Sequence, residues 1–294
     1  MNCVLGHRGL VGSAIARALN GDCVTADGVD LTDLDDLMAW WESHTPSHVY
    51  LAAARVGGIE ENAQEPAKFI RENLLIATNV TLTANLFGCD RLLFLGSSCI
   101  YPREAPQPIP ESALMTGPLE ETNRAYAVAK IAGLELVRAH RRQYGRRWIS
   151  VMPCNVYGPG DRSTHVIPML MRRFHKAKVE GAEEVSVWGS GKPRREFIHA
   201  DDLARACLHV MRDYDDDEPI NVGWGIDYPI VQVALMLRDI VGFRGRVVFD
   251  QSKPDGTPRK VLDIRKMAAL GFLPTIGLQE GLERTYREYV EEQS

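Results

Sequence analysis

The sequence predicts an α/β protein, in which a doubly wound parallel sheet is followed by a smaller mixed α/β region. Short apolar runs alternate with helical patterns through the first 160 residues, as in parallel sheets with helices on both faces. A glycine triplet at residues 6, 9 and 12 lies where the first apolar run gives way to the first helix. The alternation stops after residue 160. We therefore expect one domain at residues 1–160 and a second region at 161–294, with chain crossovers between them.

Composition excludes several classes of protein. The 294 residues are 45% hydrophobic and 25% charged, which is typical of a globular chain with a real core. A net charge of -5 argues against a nucleic-acid partner. No apolar run approaches the ~20 residues that span a bilayer, and no signal core follows Met1, so we expect no membrane and a cytoplasmic location. Six scattered cysteines without a C-x-x-C pair indicate reduced thiols and no metal site.

The glycine triplet is the first candidate site. A strand at residues 2–5 precedes it, and a helix at 13–19 follows. Gly6 would allow a tight turn, Gly9 would let backbone approach a pyrophosphate, and Gly12 would let the helix pack on the sheet. A turn with a purely structural role is the alternative. We predict a Rossmann-type NAD(P) site that includes Gly6, His7, Arg8, Gly9, Leu10, Val11 and Gly12.

The end of the second strand, at residues 22–26, should meet the adenosine ribose of a dinucleotide. Asp27 and Asp30 favour the free 2′-hydroxyl of NAD, whereas Arg8 suits the 2′-phosphate of NADP. Both aspartates could instead be solvated turn residues. The choice between NADP and NAD therefore stays open at this stage.

The next elements bring further loops to the same edge of the sheet. Because the carboxyl ends of parallel strands lie together, Gly6, Ala54 and Ser97 should converge on one crevice. The predicted elements are a helix capped by Asp33, a strand at 48–54, a loop at 56–59, a helix from Pro66 to Leu86, a strand at 91–95 that ends at Gly96-Ser97-Ser98-Cys99, and a proline-rich loop at 101–119.

Tyr126 and Lys130 form the second candidate site. They are four residues apart on a predicted helix that ends at Gly145, so both side chains lie on one face, one turn apart. An ammonium beside a phenol favours the phenolate, so Lys130 should lower the pKa of Tyr126. A serine hydroxyl from another element would complete a group that polarises a carbonyl. An ordinary surface pair is the alternative.

The region after residue 160 is predicted as a mixture of short elements. The acidic run at 213–218 is interpreted as a solvated loop without a binding role, and the polar loop at 253–260 could close over a ligand. The remaining predictions are a strand at 148–152, helices at 165–178, 231–241 and 278–291, a helix to Met211 capped by Asp201, and strands at 185–188, 194–198, 219–222 and 246–249.

The glycine triplet, the serine after the fourth strand and the Tyr-x-x-x-Lys helix together resemble the extended short-chain dehydrogenase/reductase family. Six runs, at residues 6–9, 56–59, 95–102, 165–168, 188–191 and 253–260, are similar to the branch that converts GDP-4-keto-6-deoxy-D-mannose to GDP-L-fucose. The resemblance implies an NADPH-dependent oxidoreductase that also epimerises carbons 3 and 5 before it reduces carbon 4. It further implies a homodimer formed by the helices at 66–86 and 123–144.

The resemblance also implies residue roles. Ser97 and Tyr126 would bind the carbonyl oxygen, Lys130 would hold the nicotinamide ribose, and Cys99 and His165 would move protons on opposite faces of the sugar. The implied cofactor-binding residues beyond the glycine loop are Leu95, Gly96, Ser97, Ser98, Tyr126, Lys130, Pro153, Cys154, Asn155, Val156 and His165. Those implied for the GDP-sugar are Arg173, Trp188, Arg195 and Asp255.

Alternatives remain open. The family pattern has an arginine near the end of the second strand, but this chain has none there and leaves Arg8 as the nearby cation. Cys99 could be a small buried hydrophobe, and His165 a residue that merely begins a helix. The chain could also be another nucleotide-sugar epimerase or dehydratase that recycles its cofactor, or an inactive NAD(P)-binding sensor.

Overall fold

The computed structural model describes residues 1–253 and 255–293, so Pro254 of the predicted polar loop lies outside the described residues. The strands are β1 (Asn2–Leu5), β2 (Val24–Thr25), β3 (His48–Leu51), β4 (Arg91–Leu95), β5 (Ile149–Pro153), β6 (Asn155–Tyr157), β7 (Glu184–Trp188), β8 (Arg194–His199), β9 (Ile220–Val222), β10 (Asp227–Pro229), β11 (Arg246–Asp250) and β12 (Arg259–Lys260). The helices are α1 (Leu10–Ala18), α2 (Leu34–His44), α3 (Ile59–Gln64), α4 (Pro66–Leu86), α5 (Arg124–Tyr144), α6 (Val166–Glu180), α7 (Ala200–Asp213), α8 (Ile230–Val241), α9 (Arg265–Ala269) and α10 (Leu278–Glu291).

A six-stranded parallel sheet forms the centre of the fold, in the order β2-β1-β3-β4-β5-β9. This confirms the predicted doubly wound α/β class. The chain runs outward from β1 to β2 and then returns to β3 on the other side of β1, so the order reverses between β1 and β3. Ligands of such sheets bind beyond the carboxyl ends of the strands near this reversal.

Several strands differ in extent from their predictions. β3 stops at Leu51 rather than at residue 54 because the chain then crosses Gly6, where an added Cβ would lie 2.5 Å from the Ala53 nitrogen. β2 has only two residues. Asn155–Tyr157, for which the sequence predicts no element, forms β6 and pairs in parallel with β8. Its partner lies about forty residues further along the chain, a pairing that no local pattern indicates.

The second region does not separate cleanly from the first. β9 joins the central sheet beside β5, and α7 packs on α1. The main core extends from β1 through α7 to Phe272, while a second apolar cluster lies among α6, α8 and α10 around Phe174 and Leu237. Smaller sheets join β10, β8 and β12, and β7 with β11. The chain thus crosses between the predicted domains, and their boundary at residue 160 stays a prediction.

The two helix caps that the sequence predicts differ in outcome. Asp33 caps α2 as predicted, since its carboxylate accepts the Asp35 and Asp36 amides at 2.9 and 3.2 Å. The predicted Asp201 cap of α7 is wrong. The helix begins one residue earlier, at Ala200, and the ring of His199 accepts the Asp201 amide at 3.2 Å.

The acidic run at 213–218 is held by hydrogen bonds to the last turn of α5 and to Arg147, which follows that helix. Asp215 accepts hydrogen bonds from Arg141 and Arg147, both at 2.9 Å, and Asp217 accepts one from Arg142 at 3.1 Å. These contacts neutralise part of the basic end of α5. Within the described part of the chain, no helix is long and apolar enough to cross a membrane.

Candidate active site

The glycine loop connects the end of β1 to α1. Gly6 has φ +89°, and its carbonyl accepts the Gly9 amide at 3.0 Å, which closes a tight turn. A Cβ on Gly12 would lie 2.1 Å from the Gly6 oxygen, so only glycine lets α1 pack this closely. A Cβ on Gly9 would meet only that oxygen, at 3.4 Å. The turn leaves the N-terminus of α1 at the crevice, where it can receive a pyrophosphate.

Asp27 lies directly beside the glycine loop. Arg8 Nη2 donates to Asp27 Oδ1 at 2.7 Å, and His7 Nε2 lies 2.9 Å from the same oxygen. Thr25 donates to the other carboxylate oxygen at 3.0 Å. Hydrogen bonds from Thr25 and Arg8 lower the pKa of Asp27. The structure thus brings together two residues that favour different cofactors.

Asp30 is occupied differently. Its carboxylate accepts the backbone amide and the hydroxyl of Thr32 at 2.8 and 2.7 Å, and these bonds lower its pKa. This is an Asx turn before α2, which is the solvated-turn alternative. The ribose-binding prediction therefore rests on Asp27.

Lys130 anchors α5 to the end of β4. Its Nζ donates to the Leu95 carbonyl at 2.7 Å and lies 5.8 Å from the centre of the Tyr126 ring. Gly133 makes this approach possible, because a Cβ there would lie 2.3 Å from Cζ of Phe94 on β4. The Ser97 side chain lies close enough to the Tyr126 hydroxyl to lower its pKa. The predicted Ser-Tyr-Lys group is therefore assembled at the crevice.

The protonation of this group differs from the sequence prediction. Burial, as the larger cause, and the nearby Cys99 raise the pKa of Tyr126, while the Ser97 side chain lowers it. Burial also lowers the pKa of Lys130 from 10.5 to about 8. The pKa of Tyr126 is therefore raised overall, whereas the sequence predicted a lowered one.

Cys99 follows Ser97 in a short 3₁₀ turn, Ser98–Ile100, in which the Cys99 amide donates to the Ser97 hydroxyl at 3.2 Å. Two donors lie on the Cys99 sulfur: Asn123 Nδ2 at 3.2 Å and Lys260 Nζ at 3.6 Å. The Arg195 guanidinium lies near the same sulfur. The sulfur is thus surrounded by side-chain N–H donors from separate segments of the chain.

Sequence reasoning missed Asn123 and Lys260 as partners of Cys99. Lys260 belongs to the run at 253–260, and Asn123 begins the helix predicted at 123–144, so these two segments were the available signal. No spacing rule relates residue 260 to residue 99. Only the pairing of β12 with β8 brings Lys260 to the crevice.

His165 lies at the rim. It immediately precedes α6 and is exposed, and its amide donates to Ser163 Oγ at 3.3 Å. Its neighbour Thr164 accepts the Gly58 amide at 3.0 Å, which ties this segment to the loop predicted at 56–59. Within residues 1–253 and 255–293, the structure shows no hydrogen bond from His165 to Cys99 or Tyr126.

The other residues predicted to line the cofactor surround the ends of β4 and β5. Leu95, Gly96 and Ser98 are buried there, and a Cβ on Gly96 would lie 2.3 Å from Met152 Cε. Across from them, Pro153 and Cys154 are buried while Asn155 and Val156 are half-buried. Burial raises the pKa of Cys154, so that thiol stays protonated.

Four residues predicted to bind a GDP-sugar form a second surface. The Arg173 guanidinium lies 5.4 Å from the Trp188 ring centre, and the ring is 45% exposed. Arg195 donates to the Thr257 carbonyl at 2.6 Å. Asp255 accepts the Ser190 amide and hydroxyl at 2.8 and 2.6 Å. Lys253, which sequence reasoning had not assigned, places its Nζ 5.5 Å from the centre of a Trp188 ring.

Comparison with known proteins defines the class. Residues 2–223 match the model of the NAD dependent epimerase/dehydratase family, and this chain belongs to that family. It is 51% identical to GDP-L-fucose synthase 1 of Arabidopsis thaliana, in an alignment that covers 98% of this chain and 92% of the relative.

The more particular likeness is to enzymes of GDP-L-fucose synthesis. GDP-L-fucose synthase of Escherichia coli (strain K12) is 48% identical, with 99% of this chain and 96% of the relative covered. The crystal structure of a GDP-L-fucose synthetase from Naegleria fowleri bound to NADP superposes with a TM-score of 0.90 at 29% identity, covering 99% and 94% of the two chains.

Lys130 makes a prediction about pH and stability. Its folded pKa of about 8 lies below the ordinary 10.5, so the unfolded chain retains a proton that the folded protein has lost. The Lys130 contribution to the free energy of unfolding therefore rises with pH across this window, by about 1 kcal/mol per pH unit. The buried thiols, whose pKa values are raised, contribute with the opposite sign, but they do so alike in the wild type and in Lys130→Met. The difference in the free energy of unfolding, wild type minus Lys130→Met, should therefore grow with pH. Urea unfolding of both proteins between pH 8 and pH 10 tests this, and parallel curves would contradict it.

Proposed function

We propose that this protein converts GDP-4-keto-6-deoxy-D-mannose to GDP-L-fucose with NADPH. The observation that carries the proposal is the convergence of the Ser97–Tyr126–Lys130 group and the Cys99 sulfur at one crevice. The named relatives support the same reaction. Carbonyl chemistry needs the first group, and inversion of carbons 3 and 5 needs a separate base, for which we propose Cys99.

The proposed sequence begins with proton transfer. Ser97 and Tyr126 bind the oxygen at carbon 4 and stabilise the negative charge that an enolate places on it. Cys99 removes a proton from the neighbouring carbon, while Asn123 and Lys260 donate hydrogen bonds to its sulfur. We propose that His165, from the rim, returns a proton to the other face.

Reduction follows at the same carbonyl. We propose that the dinucleotide lies along residues 6–12, with its nicotinamide between residues 95–98 and 153–156; bound there, it supplies the hydride. The tight turn at Gly6 and the free space beside the Gly9 backbone fit a bound pyrophosphate. Tyr126 gives its proton to the oxygen at carbon 4. Arg173, Trp188, Arg195 and Asp255 are proposed to hold the GDP moiety.

The direct test follows NADPH oxidation with GDP-4-keto-6-deoxy-D-mannose and identifies the sugar product. We expect one NADPH consumed per GDP-L-fucose formed. Cys99→Ala should lose deuterium exchange at carbons 3 and 5 by about 10²- to 10⁴-fold, and Cys23→Ala, outside the crevice, should not. If no NADPH is consumed, the reductase proposal is wrong. Inversion with a recycled cofactor would then favour another nucleotide-sugar epimerase, and inertness would favour an NAD(P)-binding sensor.

We propose NADPH rather than NADH because Arg8 is available to a 2′-phosphate and a related structure holds NADP. Arg8 already binds the Asp27 carboxylate, which the 2′-phosphate would have to displace. This competition reduces the preference for NADPH over NADH. Asp27→Asn should therefore raise the NADPH/NADH ratio of kcat/KM by about fivefold. Asp30→Asn is the matched control, since that carboxylate serves Thr32. An unchanged ratio in Asp27→Asn, or the same shift in both variants, would refute this assignment.

We also propose a homodimer through α4 and α5. These two helices pack on each other, and both leave large apolar side chains exposed, namely Leu75, Leu82, Leu86, Val128 and Tyr144. A second copy would cover them. Light scattering should give about twice the chain mass of 32.8 kDa. Leu82→Asp should give the mass of one chain while Val179→Asp, on α6, should not; a monomeric wild type would exclude the dimer.

A cytoplasmic location is proposed as well. Its support is that all six cysteines are free, four of them buried. Thiols of this kind are typical of a reducing compartment.

A further inference from the structure

A buried carboxylate beneath the crevice has no part in the proposed reaction. Glu196 on β8 is 0% exposed. Its Oε1 accepts the Gly225 amide at 2.5 Å and its Oε2 accepts the Leu262 amide at 2.8 Å. Burial raises the pKa of Glu196 to about 7, and the backbone bonds from Gly225 and Leu262 oppose that rise.

The backbone is fitted closely around this side chain. A Cβ on Gly223 would lie 2.2 Å from Glu196 Oε1, so the chain after β9 passes directly over the carboxylate. The Glu196 carbonyl in turn accepts the side-chain amide of Asn155 at 2.9 Å, which ties β6 to the same point. One residue therefore joins β8, the segment after β9 and the segment after β12.

The segment after β12 is the one that matters for Cys99. β12 has only two residues, and Lys260 pairs there with Arg195, the neighbour of Glu196. Two residues later, Leu262 gives its amide to Glu196. Arg195, meanwhile, donates to Thr257 just before β12. Two adjacent residues of β8 thus hold both ends of the segment that carries Lys260 to the Cys99 sulfur.

We propose that Glu196 is a positioning residue for Cys99, which fixes the register of β12 so that the Lys260 ammonium lies against the sulfur. It touches neither substrate nor cofactor and acts through Lys260. The role rests on the proposed function and deepens it, because a base at Cys99 is of use only to the epimerisation. The reactivity of Cys99, through which this role acts, can nevertheless be measured without any sugar.

The test is the rate at which iodoacetamide alkylates Cys99, followed by mass spectrometry of the Cys99 peptide. Both carboxylate oxygens of Glu196 accept a backbone N–H, whereas a glutamine has only one side-chain oxygen. In Glu196→Gln the side-chain NH₂ would therefore face one of these backbone N–H groups, so we expect β12 to shift. Lys260→Met and Glu196→Gln should each slow alkylation by about tenfold. If Glu196 acts through Lys260, the double variant should be no slower than Lys260→Met alone. Independent, multiplying effects would overturn the proposal.

Asp202→Asn is the matched control. Asp202 is also a 0% exposed carboxylate that accepts two backbone amides, those of Thr275 and Ile276 at 2.9 and 2.7 Å, but these residues lie far along the chain from β12. This variant should leave Cys99 alkylation unchanged. If Glu196→Gln fails to fold, Glu196→Asp, which withdraws the carboxylate by one methylene, replaces it; alkylation at the wild-type rate in a folded Glu196 variant would equally overturn the proposal.

Exchange at carbons 3 and 5 separates this proposal from the proposed function. With sugar present, Glu196→Gln should lower the exchange rate by about 10²-fold, the effect of a displacement of about 1 Å, with little change in the KM for NADPH. If the wild type does not act on this sugar, the proposed function fails while the coupled alkylation still supports positioning. If the wild type turns the sugar over but the alkylation effects are not coupled, the proposed function stands and the positioning role of Glu196 is refuted.

Discussion

The hydrogen bond from the Lys130 ammonium to the Leu95 carbonyl is the contact on which the crevice depends. Leu95 ends β4, so this bond sets how far α5 reaches along the sheet, and Gly133 sets how closely it approaches. Tyr126, one turn before Lys130, therefore lies beside Ser97. Burying an ammonium against a neutral carbonyl is costly, and the lowered pKa of Lys130 records that cost. A purely structural role would be served as well by an apolar side chain.

The Cys99 site has a different origin, because its parts come from distant segments. Asn123 precedes α5, Lys260 belongs to β12 and Arg195 to β8. These segments meet because β9 returns to the central sheet and carries the loop at 223–225 to Glu196. The crossover between the two regions is therefore the means by which the polar groups reach the sulfur. A second domain joined only by a linker could not keep these polar groups within hydrogen-bond distance of the Cys99 sulfur.

Sequence reasoning succeeded where a few neighbouring residues decide the structure. Asp33 caps α2 through amides two and three residues away, and α4 begins at Pro66 and ends at Leu86, as local signals predict. It failed where the deciding partner is remote. β6 exists because of β8, and the acidic run at 213–218 is held by arginines of α5. Glu196 gave no signal at all, since its partners lie some thirty and sixty-six residues away.

The raised pKa of Tyr126 bears on how one residue could serve both halves of the proposed reaction. A donor that must protonate an alkoxide after hydride transfer has to hold its proton near neutral pH, and burial ensures that it does. When Tyr126 gives up that proton, the phenolate forms beside Lys130, whose pKa of about 8 allows it to be charged at that moment. The lysine then offsets the charge as it develops instead of removing the proton beforehand. Lys130 thus stabilises the product of proton transfer, and burial keeps Tyr126 in the form that can donate.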